Sequence, residues 1–249
     1  MRLLLISATG SPYFEHCKRE MFDFLGLSKS VGFVSAANVF DEEAYFRAVD
    51  ERLIGTVPAV AREFVHIRWN SNWRDTLNRI DAIMVGGGNT YALLKRLHQS
   101  GLLDALRERV RNGLPYIGAS AGSNVAGPNI LTTNDWNVVG LTRFESLGLV
   151  PFNINPHYAE RAASDAPHSE TRDDRIREFH QICSNDVVAL EESAILRVVD
   201  KKYSIVGKGR AKLFTKGDEP RLFEAGEDLP VRFMDEFPSS SYPRFATTP

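Results

Sequence analysis

The apolar run Leu114-Pro115-Tyr116-Ile117 ends in Gly118-Ala119-Ser120-Ala121-Gly122, and small, helix-compatible residues follow. A continuous apolar run of this length reads as a strand buried on both faces. Small residues at its end let the chain turn sharply into a helix that packs against the sheet it has just left. The same construction occurs upstream. Ile83-Met84-Val85 runs into Gly86-Gly87-Gly88, and Asn89 or Thr90 is placed to cap a helix beginning near Tyr91. Buried strand, tight turn and helix in succession are the units of a largely parallel sheet covered by helices.

The hydrophobic pattern extends this reading along the chain. Strands are predicted at 2–7, 30–35, 62–68, 82–85 and 115–119, with helices near 14–25, 41–53, 73–80, 90–99, 102–112 and 121–127. The second half predicts shorter strands at 148–154, 187–190, 194–199, 203–206, 211–214 and 221–224 around one charged helix at 170–183, with turn-rich segments suggesting antiparallel hairpins. The fold class expected is α/β, with a mostly parallel central sheet flanked by helices. At 249 residues and 43% apolar, the chain can bury one sizeable core. One domain is expected over 1–228, with 229–249 as a peripheral C-terminal extension.

A serine between two Gly-x steps at a strand-to-helix turn also has a chemical reading, the nucleophile elbow. The turn lifts the Ser120 hydroxyl clear of the sheet and aims the Ala121 N–H where an oxyanion would develop. The bare five-residue pattern also occurs as a turn with no chemistry, so it needs a base. Of the six histidines, His98 and His180 lie in charged helical segments and read as solvated faces. His66 reads as an outward or edge strand residue, His16 belongs to the first helix, and His168 stands in a polar loop. His157 closes Phe152-Asn153-Ile154-Asn155-Pro156, and Pro156 forces Asn155 out of the α region. A histidine just past a strand end, in a stiffened loop, is the base expected. Two acids compete to orient it: Glu192, past the apolar run Val187–Leu190, and Asp135 in a polar loop. Glu191 replaces Glu192 if that strand ends one residue earlier. Spacing does not choose among them.

The triglycine segment fails as a dinucleotide fingerprint, because Tyr91 stands where a third glycine belongs and this is not the first strand. Its freed backbone N–H groups suit a second oxyanion donor instead.

Taken in order, Val85–Thr90, Tyr116–Gly122, Thr132–Asp135, Ile154–His157 and Glu170–Arg172 resemble the blocks of the peptidase E family, the aspartyl dipeptidases, over about Met1 to Glu227. The resemblance implies an amidotransferase-like α/β sandwich. It implies a cytoplasmic serine peptidase that removes N-terminal aspartate from Asp-X dipeptides through an acyl-enzyme and needs no cofactor or metal. By motif position, Ser120 is the nucleophile and His157 the base, with either Glu192 or Asp135 as third member. Gly88 and Ala121 supply the oxyanion amides, and Arg172 and Asn89 contact the substrate. Two departures stand out: Ser7-Ala8-Thr9-Gly10-Ser11-Pro12 where a more serine-rich turn is expected, and the tail after Asp228. The order Ser, His, Glu also differs from that of α/β-hydrolases.

Composition is consistent with this. With 30 basic against 32 acidic residues and no basic run, nucleic-acid and membrane-surface partners are disfavoured. Two cysteines cannot build a disulfide framework, and Leu3-Leu4-Leu5-Ile6 is too short for a signal segment. The partner expected is a small peptide, and a homodimer is allowed. Three alternatives remain: a cyanophycinase-like hydrolase of other aspartyl amides, a non-catalytic small-molecule binding module, and a metal hydrolase on His157, His168 and Asp135, which lacks any H-x-x-x-H pairing.

Overall fold

Burial of β1 (Arg2–Ile6) explains the layers. Leu3 and Leu5 belong to one core cluster, Leu4 and Ile6 to another, so alternate side chains of a single strand feed two cores on opposite faces of the sheet. The computed structural model describes residues 1–10, 12–56, 63–160 and 170–231. Through the first half, β1 is followed by α1 (Lys18–Leu25), β2 (Ser30–Val34), α2 (Glu42–Thr56), β3 (Glu63–His66), α3 (Trp73–Arg79) and β4 (Ala82–Val85). Then come α4 (Thr90–Ser100), α5 (Leu102–Arg111), β5 (Tyr116–Ala119) and the single turn α6 (Ala121–Asn124). In the second half β6 (Asn153–Tyr158) precedes α7 (Arg172–Ile182), and five strands follow among the described residues: β7 (Val187–Glu191), β8 (Ala194–Val199), β9 (Lys202–Gly207), β10 (Ala211–Phe214) and β11 (Arg221–Phe223).

The main sheet has the order β3-β2-β4-β5-β1-β8-β9. Its first five strands are parallel, β8 pairs antiparallel with β1, and β9 pairs antiparallel with β8. Each fully buried Leu or Ile on these strands contributes about 1.5–3 kcal/mol through removal from water. A second sheet, β11-β10-β7-β6, is antiparallel except for the β6–β7 pair. The larger core cluster draws Ile154, Val188, Leu190 and Leu213 from this sheet together with Leu3 and Val85 from the first. The α/β sandwich expected from the sequence is the fold observed.

The differences are local. The helix expected from residue 14 begins at Lys18, because Phe14 adopts φ 62° and closes a turn onto Thr9 O. The strand expected at 148–154 runs instead over Asn153–Tyr158, so His157 lies within a strand and not in a loop beyond one. Leu229 is buried and its N–H bonds Tyr203 O, so the chain is still packed where the peripheral extension was expected to begin. Residues 232–249 lie outside the described residues.

Candidate active site

Parallel strands β4, β5 and β1 end side by side, and their C-terminal ends carry the site. At the end of β5, Ser120 has φ 53° and ψ −109°, a conformation costly for a residue with a side chain. The neighbourhood enforces it. Ser120 N–H bonds Ile6 O, Ser123 Oγ bonds both Ile6 O and Gly118 O, and Tyr116 Oη bonds Gly122 O. A Cβ on Gly122 would stand 2.1 Å from Val85 O, and one on Gly118 2.5 Å from Gly122 O. The small residues of the elbow are therefore a packing requirement as well as a conformational one.

Ser120 Oγ lies 2.8 Å from His157 Nε2, and His157 Nδ1 lies 3.0 Å from both carboxylate oxygens of Glu192. A carboxylate only accepts, so Nδ1 carries the proton and Nε2 presents its lone pair to the serine hydroxyl. His157 is itself at φ 56°, at a bulge where three steps along β6 match two along β7, from Asn155↔Ala189 to Tyr158↔Glu191. Pro156 sits inside this edge strand, where its missing N–H costs no ladder bond.

Of the competing acids, Glu192 is the one beside His157. Asp135 Oδ2 accepts from Thr90 N–H at 2.7 Å and from Thr133 Oγ1 at 3.2 Å, which fixes the N-terminus of α4. Glu191 is paired with Arg210, whose hydrogen bonds hold its carboxyl below the usual range. The polar loop at 132–134 serves β6: Asn134 Nδ2 bonds Pro156 O, Thr132 Oγ1 bonds Ile154 O, and Asn155 Nδ2 reaches back to Thr132 O.

Gly87 packs on the nucleophile, since a Cβ there would come within 3.1 Å of Ser120 Cβ. Gly88 has φ 135° and abuts Ala37 so closely that a Cβ would meet Ala37 O at 2.4 Å. Neither the Gly88 nor the Ala121 amide finds an acceptor among the described residues. Asn89 is committed elsewhere: Oδ1 caps α4 at Ala92 N–H, and Nδ2 donates to Trp136 O. The sequence offered it both as a cap and as a substrate contact; the cap is what the structure shows.

Ser120, His157 and Glu192 open into a cavity of about 670 Å³ that Thr9, Tyr13 and Tyr45 also line. Arg172 is not among its walls. It opens α7 after the capping box of Thr171 and Asp174, and it lines a neighbouring cavity of about 570 Å³ with Thr133, Asn134 and Asn155. Asn155 of β6 lines the second cavity, and His157, two residues on, lines the first.

Several histidines differ from expectation. His66 is nearly enclosed, with Nε2 2.7 Å from Ser35 Oγ and Nδ1 3.3 Å from Glu43; burial pulls its pKa down. His98 is half-buried against Glu145 O, and His180 is buried against Asn185 O, because the faces that looked solvated meet neighbouring loops. His16 precedes α1 and packs under Gly10. His168 lies outside the described residues. Two side chains that sequence reasoning missed also belong to this site. Tyr45 Oη accepts from Gly87 N–H at 3.0 Å, and Ser7 Oγ accepts from His157 N–H at 2.9 Å. A polar residue closing the apolar run Leu3–Ile6 at the end of a parallel strand was the available signal for Ser7.

An elbow serine, a histidine within hydrogen-bond reach and a carboxylate behind it together form the arrangement of a serine hydrolase. The family model of Peptidase family S51 matches residues 3–206. A protein named "Peptidase E" from Streptomyces coelicolor is 40% identical over 235 residues, covering 92% of this chain and 93% of its own. One named "Probable alpha-aspartyl dipeptidase" from Drosophila melanogaster is 40% identical over 218 residues, covering 85% and 89%. The crystal structure of a peptidase from an acI-B1 Actinobacterium shares the fold, with a TM-score of 0.68 at 15% identity over 93% of this chain and 96% of that one. The chain belongs to peptidase family S51 and is thereby a peptidase of the serine type. Among the described residues, no helix is long and apolar enough to cross a membrane.

Proposed function

We propose that this chain is a dipeptidase that cleaves Asp-X dipeptides through an acyl-enzyme on Ser120. The observation that carries this reading is the 2.8 Å contact between His157 Nε2 and the Oγ of a serine held at positive φ. In the reaction, Ser120 Oγ attacks the scissile carbonyl carbon while His157 Nε2 takes its proton. Charge then develops on the carbonyl oxygen, where the unpaired N–H groups of Gly88 and Ala121 receive it. His157 returns the proton to the departing amine as the C–N bond breaks. Water, activated by the same imidazole, hydrolyses the ester. Glu192 stabilises the imidazolium at each transfer.

The names carried by similar proteins support the dipeptide and the aspartate. A cavity of about 670 Å³ has the volume of a small-ligand site and suits a short peptide. A carboxylate taken out of water requires a compensating cation. Our candidate is Arg172, its planar fork able to hold both oxygens, for a substrate that reaches from the Ser120 cavity into the one Arg172 lines. Free, buried Cys17 and Cys183 suit a reducing cytoplasm. The test is Ser120→Ala: the protein should remain folded while turnover of Asp-X falls by several orders of magnitude, on the order of 10⁶ for loss of the nucleophile in such a unit. Turnover like that of the unmodified enzyme would refute the assignment.

A further inference from the structure

All three members of the triad are tied to two consecutive residues at the end of β1. Ile6 O accepts the Ser120 N–H. Ser7, wholly buried, makes the other ties: its Oγ accepts from His157 N–H at 2.9 Å and donates to Leu190 O at 2.9 Å, and its own N–H bonds Ala194 O at 3.1 Å. Leu190 and Ala194 flank the turn that presents Glu192. One serine therefore grips the backbone of the base and both shoulders of the acid. Leu190 lies in the four-stranded sheet and Ala194 in the seven-stranded one, so these bonds also clamp the two sheets together at the site.

The bond to His157 has no substitute in the ladder. At the β6 bulge the extra residue is left out of the pairing with β7, and the His157 amide turns to Ser7 instead. The φ of 56° at His157 sets the direction of its imidazole and is unfavourable for a side-chain-bearing residue, so it persists only where the surroundings hold it. The Ser7 hydroxyl has one hydrogen to give and lone pairs to accept with, and both capacities are used.

We infer that Ser7 is the positioning residue of the catalytic triad, its hydroxyl fixing the bulge that aims His157 at Ser120 and Glu192. The inference rests on the triad proposed above, and the experiment separates the two. Ser7→Ala should lower kcat on Asp-X by about 10²-fold, the scale for displacing a catalytic group by an ångström, while KM changes little. Labelling of Ser120 by a fluorophosphonate should slow by a similar factor. The downfield proton resonance of the His157–Glu192 hydrogen bond should be lost or displaced, and Ser7→Thr, which keeps the hydroxyl, should restore part of all three. A role confined to stability would lower the melting temperature and leave the resonance and the labelling rate of the folded protein unchanged; that result overturns the proposal. So does wild-type kcat in Ser7→Ala when Ser120→Ala is inactive, an outcome that leaves the triad standing. Activity in Ser120→Ala would instead refute the triad. If Ser7→Ala does not fold, Ser7→Cys keeps the shape and weakens the hydrogen bonds. An unchanged kcat in Ser7→Cys then overturns the inference, and a reduced kcat with a displaced resonance supports it.

Discussion

Replacing Glu192 by glutamine separates the two acids that the sequence left in competition. The amide keeps the size of the side chain and removes the charge facing the imidazolium. It also permits the wrong partner geometry, since an NH₂ group directed at His157 Nδ1 would favour the proton on Nε2 and leave Ser120 without a base. The magnitude follows from the site. Charge centres about 4 Å apart attract by roughly 4 kcal/mol at an effective dielectric of 20 and roughly 1 kcal/mol in bulk water. The Glu192 side chain is 67% exposed and that of His157 39%, so screening places the effect nearer the lower figure. At 1.36 kcal/mol per tenfold, an effect of about 1–2 kcal/mol means that Glu192→Gln should reduce kcat by about 5- to 30-fold. That is well short of the roughly 10⁴-fold loss when a buried triad acid is amidated. KM should move little, because the imidazolium exists only as the reaction proceeds. Steady-state kinetics on one Asp-X dipeptide, run beside Asp135→Asn, supply the comparison. Asparagine at 135 keeps an oxygen for the Thr90 N–H and loses only the charge at the N-terminus of α4, worth about 0.3–1 kcal/mol of stability. A silent Glu192→Gln alongside a crippled Asp135→Asn would refute this reasoning.

Three further outcomes are expected. Gly122→Ala forces a Cβ to within 2.1 Å of Val85 O and should destabilise the fold by about 3 kcal/mol or more, read as a lowered denaturation midpoint; an unchanged midpoint would show that the elbow relaxes freely. His16, His66 and His98 have pKa values lowered, first of all by burial, so the unfolded chain binds more protons than the native one as pH falls through about 6.5, and stability should decline on acidification from pH 7. Urea midpoints that stay level between pH 7 and about 5.5 would contradict this. Arg172→Ala should cost about 2–5 kcal/mol in kcat/KM for Asp-X and far less for Ala-X; equal losses on both substrates would assign the reading of aspartate to another residue.

The elbow and the triglycine turn were legible because their demands are local. A Cβ at Gly118 would stand 2.5 Å from Gly122 O, four residues on, and Gly88 stands at φ 135°, so the residue types themselves carry the information. The strand β6 was harder to place. Its apolar residues and Pro156 signal an extended segment, but the bulge at His157 exists only because β7 fixes the register on one side and Ser7 holds the amide on the other. His98 and His180 misled for a related reason. Helical periodicity tells which residues share a face, while the loop at Glu145 and the turn at Asn185 decide whether that face meets water.

The sequence alone determined the α/β class, most element positions, the elbow serine and the histidine that meets it, because periodicity and steric demand act between near neighbours along the chain. Tertiary structure alone decided that Glu192 faces His157, that Asp135 caps a helix, that Arg172 lines a separate cavity, and that Ser7 supports the site. The contacts among these join residues 35 to 150 positions apart, and the cavity that Arg172 lines is walled by residues from several separate segments. Such pairings follow from how two sheets pack and in which register, a property of the assembled core that no short stretch of chain encodes by itself.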